Sequence, residues 1–337
     1  MRIVPILLAA CVAPVGGTPP ADTSAPADPV PTVPVPPETP PVEPTEPVVT
    51  TPPDTLRFVA LGDAGEGNAA QFAVADAIGT VCAEKGCEFA LYLGDNFYNT
   101  GVSGVNDNQF DSKFEEPYAA LDFPFYPVLG NHDLGVLGLG LNFGKADTYV
   151  EYTAYSTKWT MSDRFYSFEA GPVAFFAIDS TKILYGLGED QADWLDEELA
   201  ASAAPWKFVF GHHPYVSNGA HGNAGEYEGL DPWIPLTEIP RGQYVKDFVD
   251  DHVCGRADLY LSGHDHTMQW LEPTCGTEFI VSGAGAKVTP LEDRGSPTFF
   301  EDDTHEGFLW IEVGPDSFAG TFYDSAANEL FSMSYSR

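Results

Sequence analysis

Phe89-Ala90-Leu91-Tyr92-Leu93-Gly94-Asp95-Asn96-Phe97-Tyr98 is the stretch that decides the fold. Five apolar residues in a row suit a strand covered on both faces. A glycine then permits a tight turn, and a carboxylate follows it directly. The same order recurs four times more. Leu56–Leu61 runs into Gly62-Asp63, Tyr126–Leu129 into Gly130-Asn131-His132-Asp133, Trp206–Phe210 into Gly211-His212-His213, and Asp258–Ser262 into Gly263-His264-Asp265-His266. Helical patterns fall between several of these runs, at Asn68–Cys82, Asp190–Ala203 and Arg241–Val253. Strands alternating with helices predict an α/β layered fold, with function at the carboxyl ends of the strands. Further strands near Val173–Ile178 and from Phe279 onward are expected to extend a second sheet. Gly307–Val313, Ser317–Tyr323 and Glu329–Tyr335 read as a closing antiparallel meander, and Lys287–Glu306 by default as a solvated loop, with a border of the site as the alternative.

One Gly-Asp pair after a strand is ordinarily a turn. Five strand ends that each carry Asp, Asn or His behind Gly point to side chains converging from neighbouring strands. Such carboxylates would repel one another unless a cation sat among them. Oxygen and imidazole donors without thiolates suit Fe, Zn or Mn.

Asp63, Gly94-Asp95-x-x-Tyr98, Gly130-Asn131-His132-Asp133, Gly211-His212 and Gly263-His264-x-His266 resemble the five-block signature of calcineurin-like metallophosphoesterases. The tyrosine of the second block resembles the purple acid phosphatase branch, and the chain is most similar to its small tartrate-resistant acid phosphatases. Ser282-Gly283-Ala284-Gly285 extends the likeness toward the C-terminus. The resemblance implies a two-sheet β-sandwich flanked by helices, with a dinuclear metal site at the strand ends. It implies that Asp63, Asp95, Tyr98 and His266 hold Fe(III), and that Asp95, Asn131, His212 and His264 hold Fe(II), Zn(II) or Mn(II), with Asp95 bridging. His132 corresponds to a histidine facing the substrate phosphate, with Asp133 expected to orient it. His221, in Asn218-Gly219-Ala220-His221-Gly222, falls where the small acid phosphatases carry a candidate general acid. His213 is expected to turn away from the site, and His252 and His305 read as surface residues.

The composition divides the chain. Of 29 prolines, 16 lie in residues 1–55. Met1 to Cys11 is a short apolar run behind Arg2, too short for a membrane span and suited to a secretory leader. Its Leu8-Ala9-Ala10-Cys11 ending resembles a bacterial lipobox, which implies an exported bacterial protein, periplasmic or at the cell surface and lipid-anchored through Cys11; an ordinary signal peptide is the alternative. Residues 12–55 cannot bury a core and read as an extended, disordered tether. Residues 56–337 are the expected catalytic domain. Cys82, Cys87, Cys254 and Cys275 allow three pairings, and the short separation of the first two favours Cys82–Cys87 with Cys254–Cys275. The formal charge of −35 excludes a nucleic-acid or anionic-membrane binder, which needs basic stripes.

The expected activity is hydrolysis of small phosphate monoesters at acidic pH by a monomeric enzyme. Two alternatives stay open on sequence alone: a phosphodiesterase or nucleotide hydrolase of the same superfamily, and a tethered surface protein that binds metal without turnover.

Overall fold

The computed structural model describes residues 55–135, 137–227, 241–292 and 294–337. The expected leader, Cys11 and nearly all of the tether lie outside the described residues. In chain order, the elements begin with β1 (Leu56–Leu61), α1 (Ala69–Lys85), β2 (Ala90–Tyr92), β3 (Phe125–Pro127), α2 (Ala146–Tyr152), β4 (Tyr166–Ala170) and β5 (Val173–Ala177). They continue with α3 (Ser180–Leu184), α4 (Glu189–Ala201), β6 (Trp206–Phe210), α5 (Gln243–His252), β7 (Leu259–Ser262), β8 (Met268–Leu271) and β9 (Glu278–Ser282). β10 (Thr298–Asp302), β11 (Gly307–Gly314), β12 (Ser317–Asp324) and β13 (Glu329–Ser336) complete the order. Two mixed sheets result, one ordered β13-β12-β11-β1-β2-β3 and the other β10-β8-β9-β7-β6-β5-β4.

Alternation along the strands explains why the apolar runs are continuous. In the second sheet Phe175, Ala177, Phe208, Phe210, Leu259, Leu261 and Ile280 join the core between the sheets. Their neighbours Ala174, Phe176, Val209, Tyr260, Phe279 and Val281 pack with Leu195, Val245 and Val249 of the helices on the other side. Successive residues of a strand serve opposite faces, so a strand between two apolar layers has no polar position to spare. Between the sheets the contact is aromatic: Phe58 of β1 meets Phe175 edge-on at 5.3 Å and stacks on Phe89 at 5.0 Å, arrangements favoured by the ring quadrupoles.

The helices start where local chemistry allows. Asn68 caps α1, its side chain accepting from the Gln71 N–H at 2.9 Å. Gly86, at φ +85°, ends the helix by bonding back to the Cys82 carbonyl. Asp179 caps α3 in the same way through the Lys182 N–H.

Two expectations change. The C-terminal meander does not extend the second sheet; β11 pairs antiparallel with β1 in the first, with Phe58 opposite Ile311. Lys287–Glu306 is not only a loop, because β10 inside it pairs with β8. Its exposure alternates along an edge strand, and such a strand takes its identity from its partner more than from its own residues.

Both favoured disulfides are present, Cys82–Cys87 and Cys254–Cys275. Loop entropy ties their contributions to loop length: about 3 kcal/mol for the 21-residue separation and about 2 kcal/mol for the five-residue one. Replacing each pair by serine is therefore expected to lower unfolding free energy in urea in that order. Equal losses would contradict the loop-entropy account.

Candidate metal centre

Each functional side chain sits just beyond a strand. Asp63 follows β1, Asp95 and Tyr98 follow β2, Asn131 and His132 follow β3, His212 follows β6, and His264 and His266 follow β7. Asp63, Asp95 and His264 adopt positive φ, at 58°, 51° and 68°, a region of backbone strain that clusters at functional sites. The motif glycines leave the room. A Cβ on Gly94 would lie 2.6 Å from His212 Nδ1, and one on Gly130 would lie 2.1 Å from Asp95 Oδ1.

The side chains form two adjoining groups. In the first, His212 Nδ1 lies 2.9 Å from the Leu93 carbonyl. A carbonyl only accepts, so Nδ1 donates, and Nε2 is the nitrogen whose lone pair faces the site once the ring gives up its second proton. Facing that lone pair are Asn131 Oδ1 at 3.0 Å, His264 Nδ1 at 3.1 Å and Asp95 Oδ2 at 3.5 Å. The Asn131 amide is oriented by its NH₂, which donates to the Gly138 carbonyl at 2.8 Å. In the second group the Tyr98 hydroxyl donates to Asp63 Oδ1 at 2.8 Å and lies 3.3 Å from His266 Nε2, which is itself 3.5 Å from Asp63 Oδ1. The other Asp63 oxygen accepts the His264 N–H at 2.7 Å, so the two groups share a wall.

Lone pairs that converge in a buried space need positive charge between them. The titration of the protein alone carries that signature. Burial pushes the Asp63 carboxyl up to about 7, with His212 opposing and Asp95 adding to the rise. Burial also works against charge on His212, yet Asp95 and Asp63 lift its imidazole to about 9. Burial would raise Asp95, but His212 and His132 hold it below the usual carboxylate range. Burial, then Asp63 and Asp95, push the Tyr98 phenol up. Burial, seconded by Lys287, lowers His266 to about 3. A proton on His212 thus does for the protein alone part of what a cation would do. Among the described residues, Asp95, His212 and His264 place one ligand atom each within 4.8 Å of one another, a candidate metal-ligand group. The donor set fits a borderline cation.

A family model described as calcineurin-like phosphoesterase matches residues 56–268, spanning all five blocks. The chain belongs to that family. Within it the chain is similar to acid phosphatases. It is 28% identical to tartrate-resistant acid phosphatase type 5 of Rattus norvegicus, covering 86% of this chain and 92% of the relative. It is likewise 28% identical to purple acid phosphatase 7 of Arabidopsis thaliana, over 84% and 87%. Among solved structures, GAP50, described as the anchor in the inner membrane complex of Plasmodium, shares the fold with a TM-score of 0.66 at 22% identity, covering 84% and 89%. The metallophosphoesterase fold carries its site residues at the sheet ends, as here.

The seven predicted ligands come together in these two groups. His132 flanks them, its ring centroid 4.5 Å from that of Tyr98, and His221 stacks on His264 at 4.1 Å. Asp133 requires a correction, because it does not orient His132. The His132 Nδ1 donates to the Asn99 carbonyl at 2.9 Å. The buried Asp133 carboxylate instead gathers the backbone N–H groups of Gly130, Asn96 and Phe97 and the Tyr149 hydroxyl. It ties the β2 loop to the β3 loop, which a carboxylate with four acceptor sites can do and a side chain pointing at one ring cannot. His213 turns aside to Ser180 Oγ, at 2.9 Å. His252 and His305 bond to Asp196 and Asp302.

Sequence reasoning passed over Asp265 and Lys287. Asp265 is fully buried between two ligands of its own motif and bonds to Ser217 and to the N–H groups of His221 and Gly222. Its position inside Gly-His-x-His was the available signal. Lys287 places its ammonium 3.3 Å from the Tyr98 ring centroid while pairing with Glu66 at 2.8 Å. Nothing local in the sequence marks that contact.

Asp63 links metal binding to pH. Its carboxyl is raised from 3.8 to about 7 in the folded protein alone, so its stabilising contribution is full below the unfolded value and is lost as pH rises to 7. A bound cation removes that loss by favouring the carboxylate. The gap in thermal midpoint between metal-loaded and chelated protein is therefore expected to widen from pH 4 to pH 7. A gap that is constant or narrows over this range would contradict the assignment.

Proposed function

We propose that the protein is an exported acid phosphatase that hydrolyses small phosphate monoesters at a dinuclear centre. The observation that carries this reading is Tyr98, whose hydroxyl adjoins Asp63 and His266 beside the Asp95–Asn131–His212–His264 group. Asp63, Asp95, Tyr98 and His266 would hold Fe(III), and Asp95, Asn131, His212 and His264 would hold Fe(II), Zn(II) or Mn(II). Bound there, such ions supply Lewis-acid polarisation of a phosphate and a more acidic water.

The chain's own residues supply position and protons. His132, anchored through Nδ1, keeps Nε2 for a phosphate oxygen. His221, half-buried over His264, gives a proton to the departing alkoxide, as a positioned imidazole does in general acid catalysis. The relatives named acid phosphatases, at 28% identity over most of both chains, support the monoester reading. The disulfides favour an oxidising compartment. No helix among the described residues is long and apolar enough to cross a membrane; in this reading a lipid on Cys11 anchors the protein. The likeness to GAP50 concerns the fold. A full set of ligand side chains favours turnover over a purely anchoring role.

Two measurements bear on this reading. Purified protein loaded with iron is expected to show a visible tyrosinate-to-iron absorption band that Tyr98→Phe abolishes while circular dichroism is unchanged. A band that survives in the variant would remove Tyr98 from the centre. Turnover of p-nitrophenyl phosphate is expected to exceed that of its bis ester, and the reverse order would favour the phosphodiesterase alternative.

A further inference from the structure

The loop that carries His221 is held between two opposite charges. Beneath it, the Asp265 carboxylate accepts from the His221 N–H at 2.7 Å, the Gly222 N–H at 3.2 Å and the Ser217 hydroxyl. Above it, Arg294 donates from Nε to the Gly219 carbonyl at 2.7 Å and from Nη2 to the Ala220 carbonyl at 2.5 Å. Three consecutive peptide groups are thereby held, the middle one from both sides, donors on the acid and acceptors on the base. A Cβ on Gly222, at φ +87°, would lie 2.6 Å from the guanidinium carbon, so the loop backbone rests against that side chain.

Arg294 is in turn held in place. Glu292 pairs with its Nη2 at 2.8 Å and donates its own N–H to the Asn218 carbonyl at 2.8 Å. Ser296 exchanges two bonds with the Asn218 amide, at 2.9 and 3.0 Å, and Glu301 of β10 accepts a third at 2.8 Å. The segment expected to be a solvated loop is thus bonded along its length to the loop that bears His221.

We propose that Arg294 is a positioning residue for the reaction: through the Gly219 and Ala220 carbonyls it holds the His221 imidazole over His264, where it meets the leaving group. The proposal rests on the reading of His221 as the general acid. A guanidinium suits the task because its planar fork reaches two carbonyls at once, whereas an ammonium cannot hold both in one plane. The contribution is to orientation, and a misaligned acid penalises esters whose leaving group needs a proton.

That selectivity supplies the test. Metal-loaded full-length enzyme is assayed on glycerol 2-phosphate, whose alkoxide must be protonated, and on p-nitrophenyl phosphate, whose phenolate leaves without help. Arg294→Met is expected to lower kcat about tenfold on the first ester and less than about twofold on the second, a fraction of the roughly 10²–10⁴-fold that a general acid contributes. Arg294→Lys is expected to fall between Met and wild type, and it carries the same comparison where the Met variant lowers thermal stability. His221→Ala is expected to show the same dependence on leaving group, more strongly, and adding Arg294→Met to it should cost nothing further. Equal losses on both esters, or additive losses in the double variant, would overturn the positioning role and leave His221 as the acid. A His221→Ala enzyme with no dependence on leaving group would overturn the acid assignment, and the role of Arg294 with it.

Discussion

The two sheets approach each other at the centre so closely that their backbones share hydrogen bonds. Gly62 N–H at the end of β1 donates to the Ser282 carbonyl of β9 at 2.7 Å, and the Leu93 carbonyl beyond β2 receives His212 Nδ1 from beyond β6. A Cβ on Gly62 would stand 3.1 Å from the Gly263 Cα. This contact between sheets is what the rest of the site depends on. It sets the distance from Asp63 and Asp95, on one sheet, to His212 and His264, on the other, and leaves no play for larger residues on the backbone between them. The same constraint explains why the ligands follow glycines.

Holding those groups together has an electrostatic consequence. Burial makes charge on Asp63 unfavourable, and Asp95 adds to the penalty. The protein answers with protons, on Asp63 and on His212. The arrangement is therefore preorganised for positive charge, part of which the His212 proton supplies in the protein alone. The formal charge of −35 belongs mainly to the surface and says little about the pocket. An acidic surface keeps the protein soluble and repels anions at long range, whereas binding is decided within a few ångströms of the cations the centre is shaped to hold.

The strand ends were legible because their signal is local: an apolar run, a glycine, then a ligand side chain. The favoured pairing of the cysteines rested on their spacing, and a helix was expected over Asn68–Cys82 where α1 lies. What escaped had no local signal. Asp133 stands beside His132 in sequence, and adjacency suggested a contact that the backbone turn rules out; the carboxylate faces the β2 loop instead. The meander was recognised, but its pairing with β1 is a long-range choice that strand composition does not encode. Arg294 and Lys287 reach the site across the fold, in a segment whose own residues read as solvated.

By itself the sequence determined the layered fold, the five ligand-bearing turns and the identity of their side chains, because each depends on neighbours within a few residues. Only the tertiary structure decided which of those side chains meet, which tautomer of His212 faces inward, and which distant residues hold the His221 loop. Those outcomes depend on hydrogen bonds between residues tens to hundreds of positions apart, such as His264 N–H to Asp63 and Arg294 to Gly219. Such bonds form only once packing has brought their partners within about 3 Å.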